Sequence, residues 1–134
     1  MLQAAVLLQR LPRHAAVIAR RREIAQRYDR ELAGLVETPP SLPGYSDVFY
    51  TYTIRTPQRD ALRDHLARNG VESRIQHPVL LSDQPAFRGK VRGHSPRAAE
   101  LVRKILCLPA HEKLRDDEQS FVIDAIAAFF GDRR

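Results

Sequence analysis

Val48-Phe49-Tyr50-Thr51-Tyr52-Thr53-Ile54 is the stretch on which the fold turns. It is dense in aromatic and β-branched residues and its side chains alternate, the pattern of a strand with one buried face. Thr56-Pro57 follows at once, an N-cap residue and then the proline suited to the first helical position. The helix so opened carries Ala61, Leu62, Leu66 and Ala67 inward and stops at Asn69-Gly70, a pair fitted to a left-handed C-cap. Val71 to Gln76 alternates again up to Pro78, which predicts a second, shorter strand.

Upstream, Ala4, Leu8, Leu11, Ala15 and Ile18 recur at helical steps, and Ile24, Tyr28, Leu32 and Leu35 prolong the apolar stripe. Arg20, Arg21, Arg22, Glu23 and Arg27 fall mainly to its flanks. Pro12 removes the backbone bond to Leu8, so the element reads as one bent helix or two abutting ones. Gly34 and Pro39-Pro40 end it, and Thr38 to Asp47 is an irregular connector. Downstream, Pro78 to Ser95 is loop-like, with Pro85, Gly89 and Gly93. Pro96 opens a helix over Arg97 to Ile105 whose buried stripe is Ala98, Leu101, Val102 and Ile105. Leu106-Cys107-Leu108-Pro109 reads as a short edge strand, because proline bounds it. The last helix begins near Asp116, with Gln119 three residues on in a loose capping-box spacing. Val122, Ile126 and Phe129 make its core face, and Phe121 and Phe130 extend the apolar surface nearly all round. The expected fold is therefore α+β: a single domain over residues 1–134, with a long N-terminal helix and a small antiparallel or mixed sheet of about three strands packed with helices.

The formal net charge is +6, from 22 Lys and Arg against 16 Asp and Glu. The basic residues are spread along the chain and interleave with acids, with no zinc-finger spacing, aromatic RNA-binding signature or long basic tract. Nucleic-acid binding is thus a minor reading. No apolar run approaches the length of a membrane span. The N-terminal residues lack the basic lead of a secretory signal, and the single Cys107 cannot form an internal disulfide, so a cytoplasmic location is expected. His14, His65, His94 and His111 together with Cys107 show no metal-ligand spacing. A Cys107–His111 nucleophilic pair is conceivable, but an inert buried thiol suits that apolar stretch better. Tyr50 and Tyr52 share a face of their strand; packing in the core is the first role of such a pair, and Tyr50 is also a candidate for substrate contact.

In this order, the segments resemble the C-terminal portion of the DegT/StrS-type nucleotide-sugar aminotransferases. The resemblance starts at Leu2-Gln3-Ala4-Ala5 and runs through Arg20-Arg21-Arg22-Glu23-Ile24-Ala25 and Tyr28. Val48 to Ile54 is similar to that family's Val-Tyr-His-x-Tyr-x-Ile strand. Gly70-Val71-Glu72-Ser73, Gln84-Pro85-Ala86-Phe87, Leu106-Cys107-Leu108-Pro109, Leu114 and Asp117-Glu118-Gln119 follow in register.

The resemblance implies the small domain of a fold-type I pyridoxal-phosphate enzyme, in which a large domain carries the cofactor and an amino group passes from glutamate to a keto-sugar nucleotide. Such chemistry needs a Schiff-base lysine, an acidic partner for the pyridinium nitrogen and donors for the phosphate. Lys90, Lys104 and Lys113 lack the Ser/His-rich context of the family's lysine, whose segment is expected before Met1, together with an Asn-x-Arg phosphate contact. The expectation is a small-domain subunit or fragment that binds no cofactor alone and acts with pyridoxal phosphate once a large domain completes it. The rival is a non-enzymatic interaction module, self-associating or bound to a partner. Where the family has His-Tyr-Pro followed by Pro-Leu-His, this chain reads Gln76-His77-Pro78 and Leu80-Leu81-Ser82. Gln76, His77 and Ser82, with Tyr50, are therefore the candidate substrate contacts, and the departures put the inherited sugar contacts in question. His77 reads equally well as a loop histidine bonded locally.

Overall fold

The computed structural model describes residues 2–87, 90, 93 and 95–131; Gly89 and His94, both singled out above, lie outside the described residues. Helix α1 (Leu2–Arg10) runs into a 3₁₀ turn at Leu11–Arg13 and then helix α2 (His14–Glu31). The break sits at Pro12, as the missing N–H requires. Strand β1 (Tyr52–Arg55), helix α3 (Arg59–Arg68), two 3₁₀ turns (Leu81–Asp83 and Pro85–Phe87), helix α4 (Pro96–Val102), strand β2 (Ile105–Leu108) and helix α5 (Asp116–Gly131) follow.

β1 and β2 pair antiparallel, with Tyr52 opposite Leu108, Thr53 opposite Cys107 and Ile54 opposite Leu106. The expected third strand at Val71–Gln76 is reduced to a single antiparallel bridge, Arg74 to Cys107, with N···O distances of 2.8 and 3.1 Å. A matching bridge joins Glu37 to Arg55 on the other side of β1. β2 consequently lies between β1 and the Arg74 segment and is not the free edge that Pro109 suggested. The sheet is a two-stranded ribbon with one bridged residue on each flank.

The α+β class is confirmed, with all the large buried side chains on one face of this ribbon. Tyr52 and Ile54 from β1 and Leu106 and Leu108 from β2 point the same way and meet Ile24, Tyr28 and Leu32 of the α2 region, Leu62 and Leu66 of α3, and Val122, Ile126 and Phe129 of α5. Tyr28 and Tyr52 pack at a ring-centroid distance of 5.0 Å. Both are fully buried, and both phenols are satisfied: Tyr28 donates to the Pro109 carbonyl at 2.9 Å and Tyr52 to Asp29 Oδ1 at 2.6 Å. Desolvation is the main reason both hydroxyls ionise well above the ordinary tyrosine range.

α3 closes as its sequence predicts. Gly70 takes φ +76°, Val71 N–H returns to the Leu66 carbonyl and Gly70 N–H to the Ala67 carbonyl, the paired bonds of a Schellman cap. Thr56 is buried and its hydroxyl accepts the Gln58 N–H at 3.2 Å, but the helix itself starts only at Arg59.

Other expectations are corrected. Ala61, Ala67 and Leu101 are exposed and Ala98, Val102 and Ile105 only half-buried, because α3 buries just Leu62 and Leu66 and α4 buries no residue. α4 stops at Val102, and Ile105 belongs to β2. At the start of α5 it is Glu118 that accepts the Arg115 N–H at 2.9 Å, one half of a capping box. Gln119 is instead buried, donating through Nε2 to the Ile24 carbonyl at 2.8 Å and tying α5 to α2. The arginines of α2 also bind α5 and the turn before it: Arg20 meets Asp116 at 2.6 Å, Arg21 meets Glu112 at 3.1 Å, and Arg27 donates to the Asp116 carbonyl and the Ser120 hydroxyl. Among the described residues, no helix is long and apolar enough to cross a membrane.

Candidate functional site

An open groove of about 1030 Å³ lies between the 70–76 segment and the 109–118 turn, with Phe121 of α5 on its wall. Tyr50 and Gln76 both line it, so two of the four candidate contacts are brought together. His77, exposed, and Ser82, whose hydroxyl lies 3.3 Å from Asp83 Oδ1, belong to the connector beyond and are not part of the wall.

Tyr50 reaches the groove through a local backbone feature that composition does not announce. Phe49 has φ +46°, which a bulky L-residue rarely adopts. The break in alternation separates Tyr50 from Tyr52: Tyr52 is fully buried while Tyr50 is 76% exposed. The expectation that the two share a face is therefore corrected. Phe49 itself packs back toward the core, its ring 6.1 Å from that of Tyr52.

The groove's charge is balanced. Arg74, Lys113 and Arg115 line it, and so do Glu72, Asp117 and Glu118. Glu72 Oε1 lies 2.7 Å from Arg74 Nη2, and this hydrogen bond lifts the guanidinium pKa further above its usual value. Arg115 bonds Asp117 at 3.0 Å and holds its carboxyl below the ordinary carboxylate range. At the rim, Glu112 is likewise depressed, by a backbone hydrogen bond of its own residue and then by Arg21. Groups so paired suit a polar, near-neutral ligand better than a free anion. Cys107 is buried, with Sγ 3.3 Å from Thr53 Oγ1, so it is oriented by that hydroxyl and makes no nucleophile–base contact with His111. Among the described residues, no cluster of three or more His, Cys, Asp or Glu is placed to hold a metal ion.

Among the described residues, neither Lys104 nor Lys113 is placed to hold pyridoxal phosphate. Lys104 Nζ is 2.6 Å from Glu100 Oε1 on the surface of the α4 turn, and Lys113 lines the groove beside Arg115, Asp117 and Glu118. No catalytic step on that cofactor is assigned to these residues.

Over residues 1–127 the chain matches the DegT/DnrJ/EryC1/StrS aminotransferase family. It is 36% identical over 129 residues to the dTDP-3-amino-3,4,6-trideoxy-alpha-D-glucose transaminase of Streptomyces venezuelae, covering 93% of this chain and 34% of that protein. It is 34% identical over 135 residues to a "pleiotropic regulatory protein" of Geobacillus stearothermophilus, covering 96% of this chain and 36% of that one. The crystal structure of a DegT DnrJ EryC1 StrS aminotransferase from Brucella abortus superposes with a TM-score of 0.91 at 32% identity, covering 96% of this chain and 35% of the other. The chain thus spans about a third of the length of the curated relatives it matches. With the match running through nearly every element described above, the chain belongs to the DegT/DnrJ/EryC1/StrS aminotransferase family.

Proposed function

We propose that this chain is the small domain of a cytoplasmic nucleotide-sugar aminotransferase, and that it is catalytically silent until a large domain supplies the cofactor site. The observation that carries the reading is the pairing of near-complete coverage of this chain with one-third coverage of whole aminotransferases at a TM-score of 0.91. The placement of Lys104 and Lys113 among the described residues agrees with it, since the lysine and the phosphate donors then belong to the two thirds of the relatives that this chain does not span. In the completed enzyme the chain's contribution is to wall the substrate site. Tyr50 offers an exposed ring for stacking and Gln76 an amide that both donates and accepts, the means by which the uncharged sugar ring of a keto-sugar nucleotide is held, its charged diphosphate lying outside this groove. His77 and Ser82 stand in the connector that leaves the groove, where they contact the distal part of the same substrate. The amino group comes from glutamate.

The test is co-production of the tagged chain with the polypeptide encoded immediately upstream, followed by light scattering. The reading expects a hetero-complex of defined mass. A homo-oligomer that ignores its neighbour would favour an interaction module and remove the enzymatic reading.

A further inference from the structure

Among the described residues, Phe49 is the one side-chain-bearing residue with a positive φ, at +46°. The left-handed region disfavours any Cβ, and phenylalanine has none of the local hydrogen bonding with which asparagine or aspartate offsets the cost. The conformation persists because both ends of the segment are fixed. Upstream, Arg22 of α2 donates through Nε to the Asp47 carbonyl at 2.8 Å and through Nη2 to the Ser46 hydroxyl at 2.6 Å. Downstream, Tyr52 pairs with Leu108 in the sheet, and its hydroxyl is held by Asp29 at 2.6 Å. Between these points the Phe49 ring packs on Tyr52, which stacks in turn on Tyr28. Backbone strain survives only where the surroundings over-determine it in this way, and such residues cluster at ligand contacts.

The bend delivers two successive side chains to one groove. Tyr50 and Thr51 both line it, although consecutive residues of a regular strand face opposite ways. With residue 49 extended, the alternation running back from Ile54 and Tyr52 would carry Tyr50 to the core face beside them. Its ring would then be lost to the groove.

We propose that Phe49 is a positioning residue for substrate binding: its left-handed backbone, clamped between Arg22 and β1, aims the Tyr50 ring at the sugar. The inference rests on the functional reading above, in which Tyr50 stacks on the substrate. It separates two contributions of one residue. The backbone at Phe49 sets where Tyr50 points, and the Phe49 ring contributes stability through its contact with Tyr52.

Phe49→Val and Phe49→Asn test this, because a β-branched residue fits the left-handed region worst and asparagine fits it well. In the full chain, nitration by tetranitromethane with peptide mass spectrometry reads Tyr50 against Tyr45, which is 78% exposed. Phe49→Val should lose nitration at Tyr50 relative to Tyr45. Phe49→Asn should keep the wild-type ratio while melting at a lower temperature, since it lacks the ring. In the reconstituted enzyme, Phe49→Val should raise KM for a dTDP-linked keto sugar about three- to tenfold with little change in kcat. The same change in a Tyr50→Ala background should add nothing, which a merely structural role would not produce. Wild-type nitration in Phe49→Val, or an undiminished KM effect without Tyr50, overturns the proposal and leaves the functional reading standing. So does a Phe49→Asn variant that behaves like Phe49→Val. A Tyr50→Ala enzyme with wild-type KM, or a chain that forms no active complex, overturns the functional reading, and the proposal falls with it.

Discussion

Raising the pH should unfold this chain through two buried tyrosines. Tyr28 and Tyr52 are both fully buried, stacked at 5.0 Å, and harder to ionise in the folded chain than in the unfolded one, chiefly through desolvation. The folded state therefore keeps two protons that the unfolded state releases once the pH passes about 10. Stability is whole below that value and falls above it, by up to about 1.4 kcal/mol per pH unit for each hydroxyl. At about pH 11 the pair should have cost about 2.8 kcal/mol, a large share of the about 5–15 kcal/mol that holds a typical domain together. Tyr52→Phe should halve the alkaline slope. It should also cost about 1.5–3 kcal/mol at neutral pH, because the lost bond to Asp29 has a charged acceptor. Tyr28→Phe should halve the slope as well, at about 0.5–1.5 kcal/mol, since its acceptor is the neutral Pro109 carbonyl. Urea unfolding between about pH 8 and about pH 11, with tyrosinate absorbance recorded alongside, reads both effects. A wild type equally stable across that range, or single variants with its full slope, would refute the argument.

Three further outcomes follow from the same coordinates. Ile126→Ala, at a fully buried position where α5 meets the core, should lower unfolding free energy by about 2–5 kcal/mol in a urea titration. Gly70→Ala should cost about 1–2 kcal/mol although a Cβ there meets no atom within 4 Å, because φ +76° is strained for any other residue; Gly70→Asn should recover part of it. Tyr50→Ala and Gln76→Ala, at exposed positions, should leave the melting temperature within about 2 °C of wild type and raise KM for the sugar nucleotide in the reconstituted enzyme, with little change in kcat.

What could be read from the sequence was governed by local chemistry. Pro12 announces the break between α1 and α2, Asn69-Gly70 the cap of α3, and the alternation around Tyr52 and Ile54 the buried face of β1. Each depends on residues within a turn or two of one another. The third strand failed because Val71–Gln76 has strand periodicity but only one residue, Arg74, finds a partner on β2. The groove was half legible: Gln76 came from the family pattern, while the exposure of Tyr50 depends on the backbone of Phe49, which strand periodicity predicts to be extended. Gln119 was placed in a cap because its spacing fits, yet its amide reaches a carbonyl on a helix 95 residues earlier. The arginines of α2 looked like a solvated flank for the same reason, since the acids and carbonyls they bind lie 89 to 96 residues away. In the opposite direction, the stripe from Ala4 to Leu11 was read as apolar and as exposed in the chain alone, and among the described residues nothing covers it.

The central claim is that this chain contributes to amino transfer only as part of a larger site. The most direct measurement is transfer from glutamate to a keto-sugar nucleotide in the presence of pyridoxal phosphate, followed as 2-oxoglutarate formed. It is run with the chain alone, with the large-domain polypeptide alone, and with both. The account predicts turnover in the mixture and none from either part. Turnover by the isolated chain, or a stable complex of the two that transfers nothing, would contradict it.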